Sequence, residues 1–407
     1  MTDTLARNEH MTFKANAGVG RHGWLRLTPA YGVRVVRERL EQLPPGSVVT
    51  DPFSGTGTTP LGAAELGHFG QSVDVNPFLI WLGRTKTRHY DPSISLEVLD
   101  AASDVVRHSR SYGVRDRLWQ PRIFRIERWW SPGALHALRT LRASIDNYEG
   151  AVRDLLDIAF CRTLIDVSSA AFNHQSMSFS EAGPRKRFDI GEAEAARETF
   201  LIEANDLAAS AAHDLPGSAL ILHGDSRNGV ADLEPADLVL TSPPYCNRMS
   251  YIRELRPYMY WMRFLDEASD AGELDWKAIG GTWGTATSKL STWAADYPTP
   301  VDEELLDVCE AIARDGEKNG RVLAAYVHKY HYDMWGHFEA ITGHLKTGGS
   351  VSYIVGNSTF YGHEVPVQKW YADMLRALGY ENVHVETIRK RNSNKALFEY
   401  DVSATKP

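Results

Sequence analysis

Asp51-Pro-Phe-Ser-Gly-Thr-Gly-Thr-Thr59 is the stretch on which the reading of this chain turns. The apolar run Ser47-Val-Val-Thr50 precedes it with β character, and Pro60-Leu-Gly-Ala-Ala-Glu-Leu-Gly67 follows with helical character. The glycines therefore sit on a strand-to-helix turn. Gly55 and Gly57 accept dihedrals closed to other residues and leave no Cβ between the backbone and a ligand. The helix start behind them offers unpaired N–H groups. A nucleoside-triphosphate loop would carry Lys after the second glycine, and a dinucleotide fingerprint would have Gly where Pro60 stands, so neither fits. Farther on, Gly70-Gln-Ser-Val-Asp74-Val-Asn-Pro77 reads as a second strand with an acid near its carboxyl end. An acid there typically holds ribose hydroxyls. Loop and acid together point to an adenosine cofactor without a pyrophosphate.

A length of 407 residues allows about two domains with ample core. Hydrophobic content of 43% and charged content of 24% are those of an ordinary water-soluble chain. No apolar run approaches the ~18–20 residues of a membrane span, and residues 1–20 lack an apolar signal core, so the expectation is a cytoplasmic protein. Cys161, Cys246 and Cys309 are far apart and form neither metal spacing nor a disulfide framework, so no metal is expected. The net charge of −8 opposes nucleic-acid binding globally, but binding depends on local charge. Residues 104–128 carry seven arginines against three acids, and Arg185-Lys-Arg187 and Arg389-Lys-Arg391 form further basic knots.

The pattern divides the chain into 1–90, 91–217 and 218–407. In the first part residues 1–20 read as poorly ordered, and a helix is expected over Gly32–Leu43. In the middle part helical spacing dominates, over Ile94–Arg110, Pro132–Tyr148, Ala151–Val167 and Ala193–His213. Its Arg-rich stretch interleaves Trp119, Phe124, Trp129 and Trp130. Arginines with aromatics can grip a nucleic-acid strand, while the Trp pair reads rather as helix-packing core. Asn173-His-Gln-Ser176 reads either as a base-reading run or as a plain loop. The last part returns to strands, at Ser218–Asp225, Ala236–Leu240 and Ser350–Val355, with a closing pair at Val383–Arg389 and Phe398–Val402. Residues 266–300 read as a long loop over the site. Arg321–His328 reads as a strand or helix start, and Tyr332–Leu345 as a separate helix. Alternation of strands and helices in both flanking parts predicts a mostly parallel sheet.

Directly after Ala236-Asp-Leu-Val-Leu240 stands Thr241-Ser-Pro-Pro-Tyr245. The pair of motifs, each after its own apolar strand, resembles the amino-methylating DNA methyltransferases that use S-adenosylmethionine. The resemblance implies an α/β Rossmann-like methyltransferase fold, with a mostly parallel seven-stranded sheet and an inserted helical region. It implies a cofactor site of Asp51, Pro52, Phe53, Ser54, Gly55, Gly57, Thr58, Thr59, Asp74, Val75, Asn76 and Thr241. Thr28 and Pro29 would lie against the methionine end, and Asp225 with Ser226 at the adenine; Asp225 also reads as an ordinary turn cap. Ser242, Pro243, Pro244 and Tyr245 would be the catalytic set. Arg115, Arg117, Arg122, Arg125, Arg185, Lys186 and Arg187 are the DNA-binding candidates. Double-stranded DNA is the implied partner, with a cognate restriction or defence-system protein a further one.

The chemistry suits the motif. An exocyclic amine is a poor nucleophile because its lone pair is conjugated into the ring. Ser242 Oγ and the Pro243 carbonyl can accept hydrogen bonds from it and draw the nitrogen toward a tetrahedral shape. Proline fixes φ and keeps that carbonyl aimed. Tyr245 can stack on a base extracted from the duplex, and alignment of nitrogen, methyl and sulfur supplies rate by proximity. Cytosine-C5 chemistry would need a nucleophilic Cys, and Cys246 follows Tyr245 rather than Pro244, so it reads as a packing residue. Ser at position 242 points within the family to cytosine-N4. The glycine loop precedes the catalytic motif, an order that many cytosine-N4 enzymes reverse and adenine enzymes share. Adenine-N6 methylation of DNA or RNA thus stays open, as does a non-catalytic nucleic-acid-binding or cofactor-sensing module.

Overall fold

The computed structural model describes residues 12–25, 27, 31–171, 178–179, 187–230, 232–247, 250–282, 285–391 and 396–407. The strands are β1 Val48–Asp51, β2 Phe69–Asp74, β3 Ala170–Ala171, β4 Ser178–Phe179, β5 Ser218–His223, β6 Ala236–Thr241, β7 Leu345–Gly356, β8 Ser358–Phe360, β9 His363–Val365, β10 Glu381–Lys390 and β11 Phe398–Thr405. Seven of them form one sheet in the order β10-β11-β7-β6-β1-β2-β5. Neighbours from β7 to β5 pair in parallel, and β11 alone runs against both β7 and β10. This is the mostly parallel, Rossmann-like methyltransferase fold that the two motifs imply. The central strands β1, β2 and β6 are buried on both faces, which is why they read as near-continuous apolar runs. The edge strands β5 and β10 are largely exposed.

Helices cover both faces. α1 Val33–Leu40 and α2 Thr58–Glu65 flank β1, and α3 Pro77–Thr87 follows β2 with Asn76 as its N-cap, accepting from Phe78 N at 3.0 Å. Four helices then intervene before β5: α4 Ile94–Ser109, α5 Pro132–Ile145, α6 Gly150–Asp166 and α7 Ile190–Ala211. Their core is continuous with Phe78 and Leu82 of α3 and with α8 Tyr251–Trp261, so they share one apolar cluster with the sheet's own helices. Trp129 and Trp130 are buried there, and Trp130 Nε1 donates to the Leu164 carbonyl at 2.9 Å. Asn173–Ser176 lies outside the described residues.

Three expectations change. Residues 12–20 are not irregular: 3-10 turns run over Phe13–Gly18 and Gly20–Gly23, and buried Arg21 donates to the terminal carbonyls of α3 and α7. The stretch 266–300 contains α9 Ala268–Lys277, opened by a Glu267–Asp270 capping box, and α10 Thr285–Leu290. After α11 Asp302–Asp315, the two segments expected at 321–328 and 332–345 merge into one helix, α12 Gly320–His344; α13 Val367–Ala377 packs nearby.

Candidate active site

The sheet order reverses between β1 and β6, because β1 leads outward to β2 while β6 leads the other way to β7. In open α/β sheets ligands bind outside the carboxyl ends of strands at such a point. The glycine turn leaves β1 there and Ser242 leaves β6 there, 187 residues later in sequence. One cleft joins them, with Gly55 and Ser242 both in its wall. Of the residues singled out by sequence, Pro52, Phe53, Gly55, Asp74, Val75, Asn76, Asp225, Ser226, Ser242 and Pro244 line it.

The turn is shaped by its glycines. Gly55 and Gly57 have φ of +52° and +75°, and a Cβ on Gly57 would stand 3.2 Å from Gly83 Cα in α3. Asp74 fastens the turn from the next strand, its Oδ2 accepting from Gly55 N at 2.9 Å and its Oδ1 from Asn76 N at 2.8 Å. Each oxygen keeps a lone pair for a further donor. Burial pushes the Asp74 carboxyl up to about 6.

Asp51, Ser54, Gly57, Thr58, Thr59, Thr241, Pro243 and Tyr245 lie behind the wall rather than in it. Thr241 Oγ1 donates to Asp51 Oδ1 at 2.6 Å, bolting the end of β6 to the end of β1. The same oxygen accepts from Phe53 N at 3.0 Å; burial nevertheless lifts the Asp51 carboxyl to about 6. Thr59 Oγ1 donates to the Leu240 carbonyl, and Ser72 Oγ to Ser54 Oγ. The buried Lys86 ammonium supports the turn from below, donating to the Thr56 carbonyl at 3.0 Å, and burial lowers it to about 7. Thr28 and Pro29 lie outside the described residues.

The Ser242–Tyr245 turn is pinned by tyrosines. Tyr330 OH donates to the Pro244 carbonyl at 2.7 Å, and Tyr245 N donates to Tyr251 OH at 3.3 Å. Among the described residues no such bond reaches the Pro243 carbonyl. The Tyr245 ring lies under the Arg391 guanidinium at 5.3 Å, and its hydroxyl donates to Glu399 Oε1 at 2.8 Å. Tyr245 is thus held by its hydroxyl, not displayed in the cleft as a stacking face. Cys246 is fully buried and burial holds its thiol well above the usual range, as befits packing.

Sequence reasoning missed part of the wall. Lys277, Ala278 and Ile279 come from the end of α9, Tyr251 and Ile252 from the start of α8, and Leu79 from α3. It also missed two supports. Arg227 pairs with Asp225 at 2.5 Å and Asp333 at 2.8 Å, and donates to the Lys277 carbonyl. Burial pushes the Asp225 carboxyl up, but the Arg227 hydrogen bonds and charge outweigh it and hold it below the carboxylate range. Asp225 also caps its own turn, accepting from Arg227 N at 3.0 Å, so both readings of this residue coexist. His337, lowered by burial to about 4, is neutral: Nδ1–H faces the Ser226 carbonyl at 3.3 Å and Nε2 accepts from Tyr353 OH at 2.7 Å. Phe53 packs on its ring. No local motif announces either residue.

The chain is 21% identical over 443 residues to the Type II methyltransferase M.BsoBI of Geobacillus stearothermophilus, covering 97% of this chain and 85% of that protein. It is 20% identical over 425 residues to the Type II methyltransferase M.AvaI of Nostoc sp. (strain PCC 7120), covering 95% and 85%. The likeness to Type II methyltransferases is thus end to end and distant. No protein-family model matches the chain. Among solved structures it aligns with the rRNA methyltransferase aviRa from Streptomyces viridochromogenes at 12% identity and a TM-score of 0.28, over 93% and 86% of the two chains.

The predicted DNA contacts fall outside the cleft. Arg115, Arg117, Arg122, Arg125 and Arg187 are all exposed; Arg185 and Lys186 lie outside the described residues. The Arg-rich segment docks on the far end of α8, where Trp119 meets Trp261 edge-on under the Arg263 guanidinium. The first turn of α8 lines the cleft, so roughly 16 Å of helix separates the two. No helix among the described residues is long and apolar enough to cross a membrane, and no cluster of metal-ligating side chains occurs among them.

Proposed function

We propose that this protein moves a methyl group from S-adenosylmethionine to the exocyclic N4 amine of a cytosine turned out of duplex DNA. The observation that carries this reading is the shared wall: Gly55 and Asp74 on one side of a single cleft, Ser242 on the other. The residues present fit the cofactor. Asp74 has free acceptor capacity for ribose hydroxyls, Phe53, Val75 and Ile279 give apolar wall, and among the described residues no cluster of basic side chains lines the cleft for a pyrophosphate. When bound, the cofactor supplies an electrophilic methyl. The chain's own residues do the rest. Ser242 Oγ, in the cleft wall, accepts from the amine and orients its lone pair, with the carbonyl of Pro243, which does not itself line the cleft, as the second acceptor the motif implies. Asp225, with Ser226, stands at the adenine end, braced by Arg227, and the Asp51–Thr241 bond keeps the two walls in register. The segment 91–217, with Arg115, Arg117, Arg122, Arg125 and the 185–187 knot, grips the phosphate backbone. The Type II methyltransferases among the relatives support duplex DNA as substrate; a cognate restriction or defence-system protein is proposed from the motif resemblance alone. Adenine-N6 transfer is the second reading, favoured by the order of the two motifs along the chain.

The test is to express the chain in a host free of N4-methylcytosine, hydrolyse its DNA and resolve the nucleosides by mass. N4-methylcytosine is expected, and Ser242→Ala should remove it. N6-methyladenine instead would establish the second reading. An unmodified genome, from a protein that still binds DNA and cofactor, would leave a non-catalytic binding module.

A further inference from the structure

We infer that Tyr251, at the first turn of α8, is the ring on which the extruded base stacks. The inference rests on the methyl-transfer reading above and supplies a surface that reading lacks. A base turned out of the duplex loses its stacked neighbours and its paired partner. Enzymes that act on such a base replace the lost stacking with an aromatic or apolar face. The motif offers Tyr245 for this. Its ring, however, lies under the Arg391 guanidinium, its hydroxyl is spent on Glu399, and it stands behind the wall.

Two aromatic side chains line the cleft among the described residues, Phe53 and Tyr251. Phe53 belongs to the glycine turn, and its ring packs on the His337 imidazole with centroids 4.8 Å apart, so it serves the cofactor side. Tyr251 arrives with α8 at the Ser242 side. Its hydroxyl accepts from Tyr245 N at 3.3 Å, one residue past Pro244, and both Ser242 and Pro244 share the cleft wall with it. The ring therefore reaches from α8 to the turn that carries Ser242. It is half-buried, and among the described residues no other ring or guanidinium stacks on it. The side chain is also fixed at its root. Ser250, the N-cap of α8, accepts from Arg253 N at 3.1 Å and donates to Asp275 Oδ1 of α9 at 2.6 Å. Held at root and tip, the ring has little freedom left to lose when a base lands on it. A base lying flat on Tyr251 can turn its amine edge toward Ser242, the acceptor in the same wall.

The test separates the ring from the fold. Single-turnover methylation is followed with enzyme in excess over a synthetic duplex of the sequence found modified in the expressing host. Base–aromatic stacking sets the expected loss of rate for Tyr251→Leu on the order of 5- to 150-fold. Tyr251→Phe keeps the ring and should recover most of that loss. The S-adenosylmethionine affinity of both variants, measured by calorimetry on the protein alone, should match wild type. The rates are then repeated with the base opposite the target mispaired. A mispair lowers the cost of extrusion, so the Tyr251→Leu deficit should shrink, whereas a folding defect would persist. This comparison reads the same for a target cytosine or adenine. With wild-type protein, which needs no variant to fold, a duplex bearing 5-iodocytosine at the target should crosslink to Tyr251 on irradiation. A wild-type rate in Tyr251→Leu, a deficit undiminished on mispaired DNA, a weakened cofactor affinity or a crosslink to Tyr245 would overturn the platform while methyl transfer stood. A wild type that modifies no DNA would overturn the methyl-transfer reading and the platform with it.

Discussion

Asp74→Asn probes the cofactor reading where electrostatics supplies a sign. In the free protein burial holds the Asp74 carboxyl at about 6, against 3.8 for an ordinary aspartate. Ribose hydroxyls donate to the ionised form, so binding favours loss of the proton. Affinity should be full well above pH 6 and fall as pH drops through it, reaching about tenfold weaker by pH 5. The folding term has the opposite sense. A carboxyl raised from 3.8 to about 6 costs the folded state up to roughly 3 kcal/mol when ionised. That cost is fully present above pH 6 and gone below 3.8. Asn removes the charge but can accept only one of the two backbone bonds from Gly55 and Asn76, a loss of about 1 kcal/mol. The variant should therefore melt no lower than wild type near pH 7.5. Its cofactor affinity should drop all the same, since a hydrogen bond to a charged group contributes about 1.5–3 kcal/mol, or roughly 10- to 150-fold. Calorimetric titration of both proteins with S-adenosylmethionine, from pH 7.5 to 5, reads affinity and its slope together. Asp51 also sits at about 6 but behind the wall, and any slope surviving in Asp74→Asn belongs to it. A wild-type affinity flat across that range, or a variant as steep as wild type, would refute the ribose assignment.

Other outcomes follow from the same geometry. Thr241→Val leaves Asp51 Oδ1 without its 2.6 Å donor in a buried place, and should cost about 1–3 kcal/mol by denaturant unfolding; an unchanged midpoint would show that the bolt between β1 and β6 carries no weight. Arg115→Ala with Arg117→Ala should weaken duplex binding uniformly across sequences and reduce the slope of log affinity against log salt by about two, with an unchanged slope removing both from the phosphate contacts. Trp130→Ala should destabilise by about 3–5 kcal/mol, because a fully buried ring and its bond to the Leu164 carbonyl are both lost; a loss under 1 kcal/mol would mean the cluster reseals.

What the chain discloses on reading follows from how locally each feature is constrained. The glycine turn and Ser242 were legible because each follows a strand buried on both faces, and such strands cannot hide their apolar runs. α9 was not, because its buried positions are Ala271, Gly272 and Asp275, which carry almost no apolar period; only the Glu267–Asp270 box marks it as a helix. α12 was cut in two because it buries His331, Asp333 and His337 among its apolar residues, breaking the pattern that a longer helix would need. The site divides in the same way. A motif fixes a backbone turn, so Ser242 could be placed in the wall from its neighbours alone. It does not fix where a side chain finds its partner. Tyr245 shares its motif with Ser242, yet its role is set by Glu399, Arg389 and Arg391, which lie about 150 residues away and reach it only because β11 folds back between β7 and β10. Read from the motif, Tyr245 is a platform for a base; read from its partners, it is a ring held between a carboxylate and a guanidinium. The antiparallel strand that distinguishes this sheet from an all-parallel one is therefore also what carries Glu399 to the Ser242–Tyr245 turn.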